Sequence, residues 1–204
     1  MATATPAVEK PRSLGLEDHI VVFEGVTWAD YQRLLEIRGD KSAPRISYLE
    51  GRVEIMCPSR YHENYKSLVG RLVETWCLER GIEFTTLGAW TLEEKELDRG
   101  VEPDECYVFG EKPQAKRPDL AIEVIWTHGG LNKLEIYRKL GVREVWIWKD
   151  GELTPHVLRG EQYAPARKSK VLPDIDLAEL ASFLDRPTTS RAIRDYRAAL
   201  RRGG

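Results

Sequence analysis

Two acidic residues, Asp104 and Glu123, fall in neighbouring segments that both have the character of β-strands. Asp104 follows Pro103 at the start of a predicted strand over 102–109, and proline is tolerated where a strand begins. Glu123 interrupts the apolar run 119–126, where an unpaired buried carboxylate is costly and requires a cationic partner, a proton or a metal ion. Together the two carboxylates offer the hard oxygen ligands that Mg²⁺ or Mn²⁺ binds.

A lysine close to such a pair would suit phosphodiester hydrolysis. A bound cation polarises the phosphate and lowers the pKa of an attacking water, while a lysine orients that water or stabilises the developing charge. Lys133 has a suitable position, in the first turn of the helix predicted after the Glu123 strand. A lysine on a solvated surface is the alternative, and the spacing alone does not decide between the two.

The elements that would position these residues alternate between strands and helices. The predicted helices span 28–38 (with Thr27 as N-cap), 62–80, 131–140, 177–184 and 190–202. The predicted strands are a hairpin over 46–56 that turns at Glu50-Gly51, and further strands over 82–90, 102–109, 119–126 and 143–149. The β-helix-β order from Glu123 to Trp148 predicts a crossover between parallel strands, and hence an α/β fold with a mixed sheet flanked by helices.

Three segments occur in a recognisable order, namely VEPDECYVF, PDLAIEVIW and KLEIYRKLGVREVW, with Glu-Gly-Arg-Val and His62 ahead of them. In this order they resemble the Uma-two family, which is classed with restriction endonucleases in the PD-(D/E)XK nuclease superfamily. The resemblance extends from about Trp28 to Trp148. It implies a restriction-endonuclease-like fold in which Asp104 and Glu123 are the acidic members of the active site.

One position departs from the superfamily pattern, because Ile125 stands where the (D/E)-X-K motif has its lysine. In the family that this chain resembles, a lysine from the following helix takes that role within the pattern K-x-x-x-Y-x-x-x-G-V. The corresponding residues here are Lys133, Tyr137, Gly141 and Val142. The loop before this lysine, WTHGGLN, is shorter than is common in the family.

The resemblance also implies secondary site residues. Glu50, in the turn YLEGRV, matches an acidic position of the family and would be a further metal ligand; a solvated turn carboxylate is the alternative. His62 opens the long helix where the family has a histidine, and it would either lie over the site or have a structural role at the helix start. Tyr137, one helical turn after Lys133, is expected in the core with its hydroxyl near the site.

Asp119 competes with Asp104 for the role of first acidic residue, because Pro118-Asp119 repeats the Pro-Asp dipeptide. It precedes Glu123 by four residues on the same predicted strand, so the two residues would lie about 13 Å apart. That distance is too long for them to share one cation. We therefore expect Asp119 at the strand end or outside the ligand shell.

The composition fits one globular domain. Of the 204 residues, 42% are hydrophobic and 31% charged, and we expect a flexible arm over 1–18, the nuclease-like domain over 19–186 and a C-terminal helix over 187–204. The net charge of -2 argues against a broadly basic surface, although a local patch can still bind nucleic acid. The three cysteines lack disulfide or zinc spacing, and no segment resembles a signal peptide or a membrane span, so a cytoplasmic protein without a membrane partner is expected.

The sequence thus predicts an endonuclease that depends on Mg²⁺, or Mn²⁺, and acts on nucleic acid, with DNA expected from the resemblance. A homodimer is expected because many nucleases cut duplexes as symmetric pairs. One alternative is an inactive nuclease-fold module that binds nucleic acid or protein, which a solvent-directed Lys133 would favour. Another is a dimeric scaffold formed through the strand 143–149, which an exposed apolar patch would favour; Trp146 and Trp148 of that strand are expected in the core rather than in base stacking.

Overall fold

The computed structural model describes residues 17–88, 90–127 and 129–202, and within these ranges the strands form two sheets. In chain order the strands are β1 (His19–Glu24), β2 (Arg45–Leu49), β3 (Arg52–Cys57), β4 (Phe84–Thr86), β5 (Leu92–Glu94), β6 (Arg99–Val101), β7 (Glu105–Phe109), β8 (Leu120–Ile125), β9 (Glu144–Lys149), β10 (Glu152–Arg159) and β11 (Gln162–Pro165). The smaller sheet has the order β1-β3-β2-β6-β5, and the larger one β11-β10-β9-β8-β7-β4. Among these described strands, β8 and β9 form the one parallel pair, so the larger sheet is mixed, as predicted.

The helices begin and end at residues suited to those positions. They are α1 (Trp28–Arg38), α2 (Arg60–Glu79), α3 (Lys133–Leu140), α4 (Leu177–Ala181) and α5 (Thr189–Arg202). The predicted N-cap Thr27 is confirmed, since its side chain accepts from the Asp30 amide in a capping box. Gly141 ends α3 in the left-handed conformation (φ 69°) that glycine adopts without strain.

Strand β8 is covered on both faces, which explains its apolar sequence. Leu120, Ile122 and Val124 belong to the core cluster that includes the apolar side of α2, whereas Ala121 packs with α3. Successive side chains of a strand point to opposite faces, so Glu123 lies on the α3 side together with Ala121. The predicted crossover is confirmed, because α3 connects the parallel strands β8 and β9.

Helix α5 packs along α2 and corresponds to the predicted C-terminal helix. Tyr196 and Leu200, one helical turn apart, are buried in the same core cluster as the apolar side of α2. At the surface, Glu79 at the end of α2 pairs with Arg197 and Arg201 of α5. These contacts hold the last helix against the layer that covers β8.

Two segments differ from the prediction. The strand predicted over 82–90 is reduced to the three residues of β4, and the segment 92–101, where no strand is predicted, contains β5, a 3₁₀ turn (Lys95–Leu97) and β6. The charged sequence of β5 does not show the alternation of a strand because β5 lies at a sheet edge, where Glu93 and Glu94 are exposed. The predicted hairpin turn at Glu50-Gly51 is confirmed, with positive φ at both residues.

The predicted N-terminal arm lies largely outside the described residues, as do Ala89, His128 and residues 203–204. Asp18, which we assigned to that arm, is buried. Trp146 and Trp148 are buried as expected, so β9 presents no exposed apolar patch. In the described ranges no helix combines the length and apolar character that crossing a membrane requires.

Candidate active site

Glu123 is held by two side chains of α3. Its carboxylate is 3% exposed, accepts a hydrogen bond from Lys133 Nζ at 2.7 Å on Oε2, and accepts another from the Tyr137 hydroxyl on Oε1. Lys133 and Tyr137 are four residues apart and therefore lie on the same face of the helix. The crossover that joins β8 to β9 thus brings the predicted carboxylate and lysine together.

Tyr137 is fully buried and supplies a neutral donor to this pair. Burial, and next the charge of Glu123, raises the pKa of the Tyr137 phenol well above its ordinary value. The hydroxyl therefore keeps its proton and fixes the plane of the Glu123 carboxylate. Lys133, whose side chain is partly exposed, opens α3 and approaches the same carboxylate from the cavity side.

The Glu123–Lys133 pair lines a cavity of about 300 Å³. Most of the wall is apolar and comes from β1, β3, β8, β9 and the start of α3: Ile20, Met56, Val124, Ile125, Leu131, Leu134, Val145 and Ile147. Besides Glu123, the acidic lining residues are Asp18 and Glu54. Charged groups in so apolar a setting interact more strongly than in bulk water.

Glu54 was not predicted as a site residue. It lies on β3, is 3% exposed, and accepts the Leu131 backbone amide on Oε2 at 2.7 Å. Gly130, with φ 87°, passes so close that a Cβ there would collide with this carboxylate. The sequence does carry a signal, because Glu54 interrupts the apolar strand segment Val53–Met56 as Glu123 interrupts β8.

Asp104 stands immediately before β7 and is fully buried. The last pair between the antiparallel strands β7 and β8 is Glu105–Ile122, so the next pair in the same register is Asp104 and Glu123. There its Oδ2 accepts the Val124 amide at 2.6 Å, in place of a backbone carbonyl.

The other oxygen of Asp104 meets two basic side chains. Oδ1 forms an ion pair with Arg45 and lies 3.0 Å from His62 Nε2. Arg45 also pairs with Glu63 at 2.8 Å. Asp104 is thus next to the Glu123 strand, as predicted, but it does not line the cavity, and its carboxylate is held by these partners.

His62 contacts both Asp104 and Asp18, which lies near the first described residue. Its Nδ1 lies 3.0 Å from Asp18 Oδ2, and Asp18 Oδ1 accepts the Ser59 amide at 2.7 Å. Burial acts to raise the pKa of Asp18, but the hydrogen bonds from His62 and Ser59 outweigh it and leave that pKa below its ordinary value. His62 therefore lies between two carboxylates, and Asp18, which we did not predict, links β1 to the site.

Glu50 and Asp119 lie outside the cavity. Glu50 sits in the β2–β3 turn with a side chain 66% exposed, and pairs with Arg99 at 2.7 Å. Asp119 is held at the start of β8 by Lys112, at 2.7 Å, and by the Phe109 amide. The structure brings together Glu123, Lys133 and Tyr137, places Asp104 on the neighbouring strand in contact with His62, and does not bring Glu50 near.

A family model for sequences described as "Putative restriction endonuclease" matches residues 28–185. The chain belongs to this Uma2 family. The matched range includes every cavity residue except Asp18 and Ile20, which the preceding segment supplies. The resemblance described above is thereby confirmed.

Among solved structures, the Uma2 chain matches a protein from Anabaena variabilis titled as a putative nuclease of the DUF820 family. The two share 16% sequence identity, the match covers 79% of this chain and 96% of the other, and the TM-score is 0.46. No curated protein matches the chain.

Proposed function

We propose that this protein is an endonuclease that hydrolyses phosphodiester bonds, with DNA as its expected substrate and Mg²⁺ or Mn²⁺ as its cofactor. One observation carries the proposal: Lys133 Nζ lies 2.7 Å from Glu123 Oε2 at the wall of a cavity, in a chain of the Uma2 family. An inactive module would not need its lysine there. A solvent-directed Lys133, which would have favoured that alternative, is not what the geometry gives.

The carboxylates of the cavity fit a hard divalent cation. Glu54 is the informative residue, because it is buried and has no cationic partner in the described part of the chain, whereas Glu123 has Lys133 and Asp18 has His62. An uncompensated buried charge is costly, so a cation beside Glu54 would relieve it.

Within the described ranges no group of three or more His, Cys, Asp or Glu side chains is arranged to hold a metal ion. Mg²⁺ keeps several waters and binds proteins through one or two carboxylates together with substrate phosphates, so two carboxylates are enough for it. We assign Glu54 and Glu123 as the pair that would hold it. Asp104 can join them only by releasing Arg45 or His62, and Glu50 would need the β2–β3 turn to move.

The protein's own residues would act on the phosphate as follows. Lys133 Nζ uses one of its three donors on Glu123, which leaves two to hold a phosphate oxygen or an attacking water. Its positive charge favours the extra negative charge of the pentavalent transition state. Tyr137 keeps Glu123 oriented, and the apolar wall excludes bulk water. A bound cation would polarise the phosphate and lower the pKa of the attacking water.

The test is a cleavage assay with supercoiled plasmid and, in parallel, a structured RNA. The full chain is incubated with Mg²⁺, Mn²⁺ or EDTA, beside a Glu123→Gln variant purified in the same way. We expect nicked or linear DNA with either cation and none with EDTA or with the variant. Absence of cleavage of both nucleic acids by the parent, or equal cleavage by the variant, would contradict the proposal.

The expected homodimer remains a prediction. Sedimentation of the full chain with and without duplex DNA would test it, since a nuclease that cuts both strands as a symmetric pair should sediment as a dimer on its substrate.

A further inference from the structure

An aromatic ladder, which we define as Tyr61, Tyr65, Trp126 and Trp148, lies beside the candidate active site. Tyr61 and Tyr65 are one turn apart on α2, Trp126 follows β8, and Trp148 is on β9. Neighbouring rings have centroids 4.3 to 5.9 Å apart and planes inclined by 10 to 26°. These are offset parallel stacks, the geometry that aromatic rings also adopt with nucleobases.

The ladder packs on the α2 face of the larger sheet, where Trp148 pairs with Val124, whereas Glu123 and Lys133 lie on the α3 face. The two regions approach each other at the end of β8, where Trp126 comes three residues after Glu123. A second cavity, of about 400 Å³, is walled by Tyr65, Trp126 and Trp148. Ile125 lines both this cavity and the one that contains Glu123. The two cavities therefore adjoin at the end of β8, and a single strand of nucleic acid that crosses this edge would contact both.

The ladder runs from the core to the surface. Trp148 is 4% exposed and belongs to the core, whereas Tyr61 at the other end is 43% exposed. An exposed tyrosine gains little from hydrophobic burial, so packing explains the inner rings better than the outer one. Its parallel stack on Trp126 leaves a flat aromatic surface at the rim of the site.

We infer that the aromatic ladder binds an unpaired nucleobase of the nucleic-acid substrate, at the sheet edge that adjoins the candidate active site. This rests on the proposed nuclease function and narrows its substrate to single-stranded or locally unpaired nucleic acid. Stacking on aromatic side chains is how proteins hold bases that have left a duplex, and it tolerates any sequence.

The charges around the second cavity fit a base better than a phosphate. Asp150 and Asp185, both exposed, line it; they repel phosphate but can accept hydrogen bonds from the amino groups of adenine, cytosine or guanine. Arg60, which precedes Tyr61 in the chain, is exposed and carries a positive charge that attracts the phosphate backbone. A nucleotide would therefore bind with its base on the exposed Tyr61 end of the ladder and its phosphate towards solvent.

The experiment uses a 12-nucleotide single strand with a central 2-aminopurine, whose fluorescence falls on stacking, and the matching duplex. Binding to the full chain is measured in EDTA, so that cleavage cannot intervene. Three variants are compared with the parent: Tyr61→Leu removes the ring, Tyr61→Phe keeps it, and Phe23→Leu removes a comparably exposed ring (49%) on β1, away from the ladder. An unchanged urea midpoint confirms that each variant is folded.

We expect the parent to quench 2-aminopurine and to bind the single strand more tightly than the duplex. Tyr61→Leu should weaken single-strand binding by about five- to hundredfold, the range for loss of one base stack, and abolish the quenching. Tyr61→Phe and Phe23→Leu should remain within about twofold of the parent.

Absence of binding, or identical binding by Tyr61→Leu and the parent, would overturn the inference. Quenching that depends on Tyr61 in a protein that cleaves nothing would contradict the nuclease proposal and leave the base site standing. If the parent cleaves nucleic acid but Tyr61→Leu changes neither binding nor quenching, the base site is contradicted and the nuclease proposal stands.

Discussion

Glu123 and Glu144 are buried carboxylates on the neighbouring strands β8 and β9, and they differ in what surrounds them. Glu144 accepts hydrogen bonds from the Trp146 indole and from the amides of Lys170 and Val171, at 2.6 and 3.2 Å. All its partners are neutral donors, most of them backbone. Glu123 instead has a charged lysine, a tyrosine hydroxyl and an adjoining cavity.

The comparison shows that burial of a carboxylate does not by itself mark an active site. Glu144 binds the chain that follows β11 to the sheet, and it is not among the residues that line the cavity beside Glu123. Glu123 has a partner whose remaining donors face open space. The type of partner and the space beside the carboxylate separate a structural role from a catalytic one.

Among the variants that test this comparison, replacement of Lys133 should have the largest effect on the cleavage rate. Lys133→Met keeps the length of the stem but removes the charge, and we expect cleavage to slow by about 100- to 1000-fold, as for other lost transition-state donors. Lys139→Met, on the exposed side of the same helix, serves as the control and should cleave like the parent. A variant Lys133→Met with the parental rate would reduce the Glu123 pair to a structural contact like that of Glu144.

Replacement of Glu54 should come next. Glu54→Gln preserves the shape of the side chain but removes the charge that has no cationic partner in the described chain. We expect both the cleavage rate and the Mn²⁺ affinity to fall by at least about 100-fold. Loss of a residue that only supports a metal ligand already costs up to about 100-fold. The free Mn²⁺ signal in electron paramagnetic resonance measures the affinity. Glu50→Gln, in the turn of the same hairpin, should change neither quantity; the opposite result would restore Glu50 as the ligand.

Replacement of Glu144 should affect stability rather than activity. In Glu144→Gln an amide nitrogen would face backbone donors, and we expect the free energy of unfolding to fall by about 2 kcal/mol. Urea denaturation measures it, and Glu161→Gln, at a side chain 89% exposed, should stay within about 0.5 kcal/mol of the parent. If Glu144→Gln is as stable as the parent, Glu144 does not have the structural role that the comparison gives it.

Asp18 should give the smallest effect, visible as a dependence of stability on pH. Its folded-state pKa lies below the ordinary value of 3.8, so its stabilising contribution is complete above pH 3.8 and is lost as the pH falls through the folded value. Asp18→Asn should therefore cost about 1 kcal/mol at pH 7, and the difference from the parent should shrink below pH 3.8. Urea denaturation from pH 7 to pH 3 measures this, and a difference that stays constant down to pH 3 would contradict it.

The sequence predicted the parts of the site that are close in the chain. Glu123 and Lys133 are separated by 10 residues within a single β-helix-β unit. Hydrophobic periodicity and the crossover rule predicted that unit, and the family resemblance selected Lys133 within it. The hairpin at Glu50-Gly51 followed from its turn residues for the same reason.

The rest of the site depends on contacts between distant segments. His62 meets Asp18 and Asp104 across 44 and 42 residues, and Glu54 meets Leu131 across 77. Local sequence patterns do not show which distant strands and helices come into contact in the fold. Such contacts also explain Asp104, whose position beside β8 was predicted but whose partner Arg45 was not.

The most direct test compares Glu123→Gln with Glu144→Gln in one plasmid-cleavage assay, with each initial rate divided by the concentration of folded protein. We predict that Glu123→Gln loses at least about 100-fold in rate, whereas Glu144→Gln cleaves as fast per folded molecule as the parent. Equal losses in the two variants, or a parental rate in Glu123→Gln, would contradict the account.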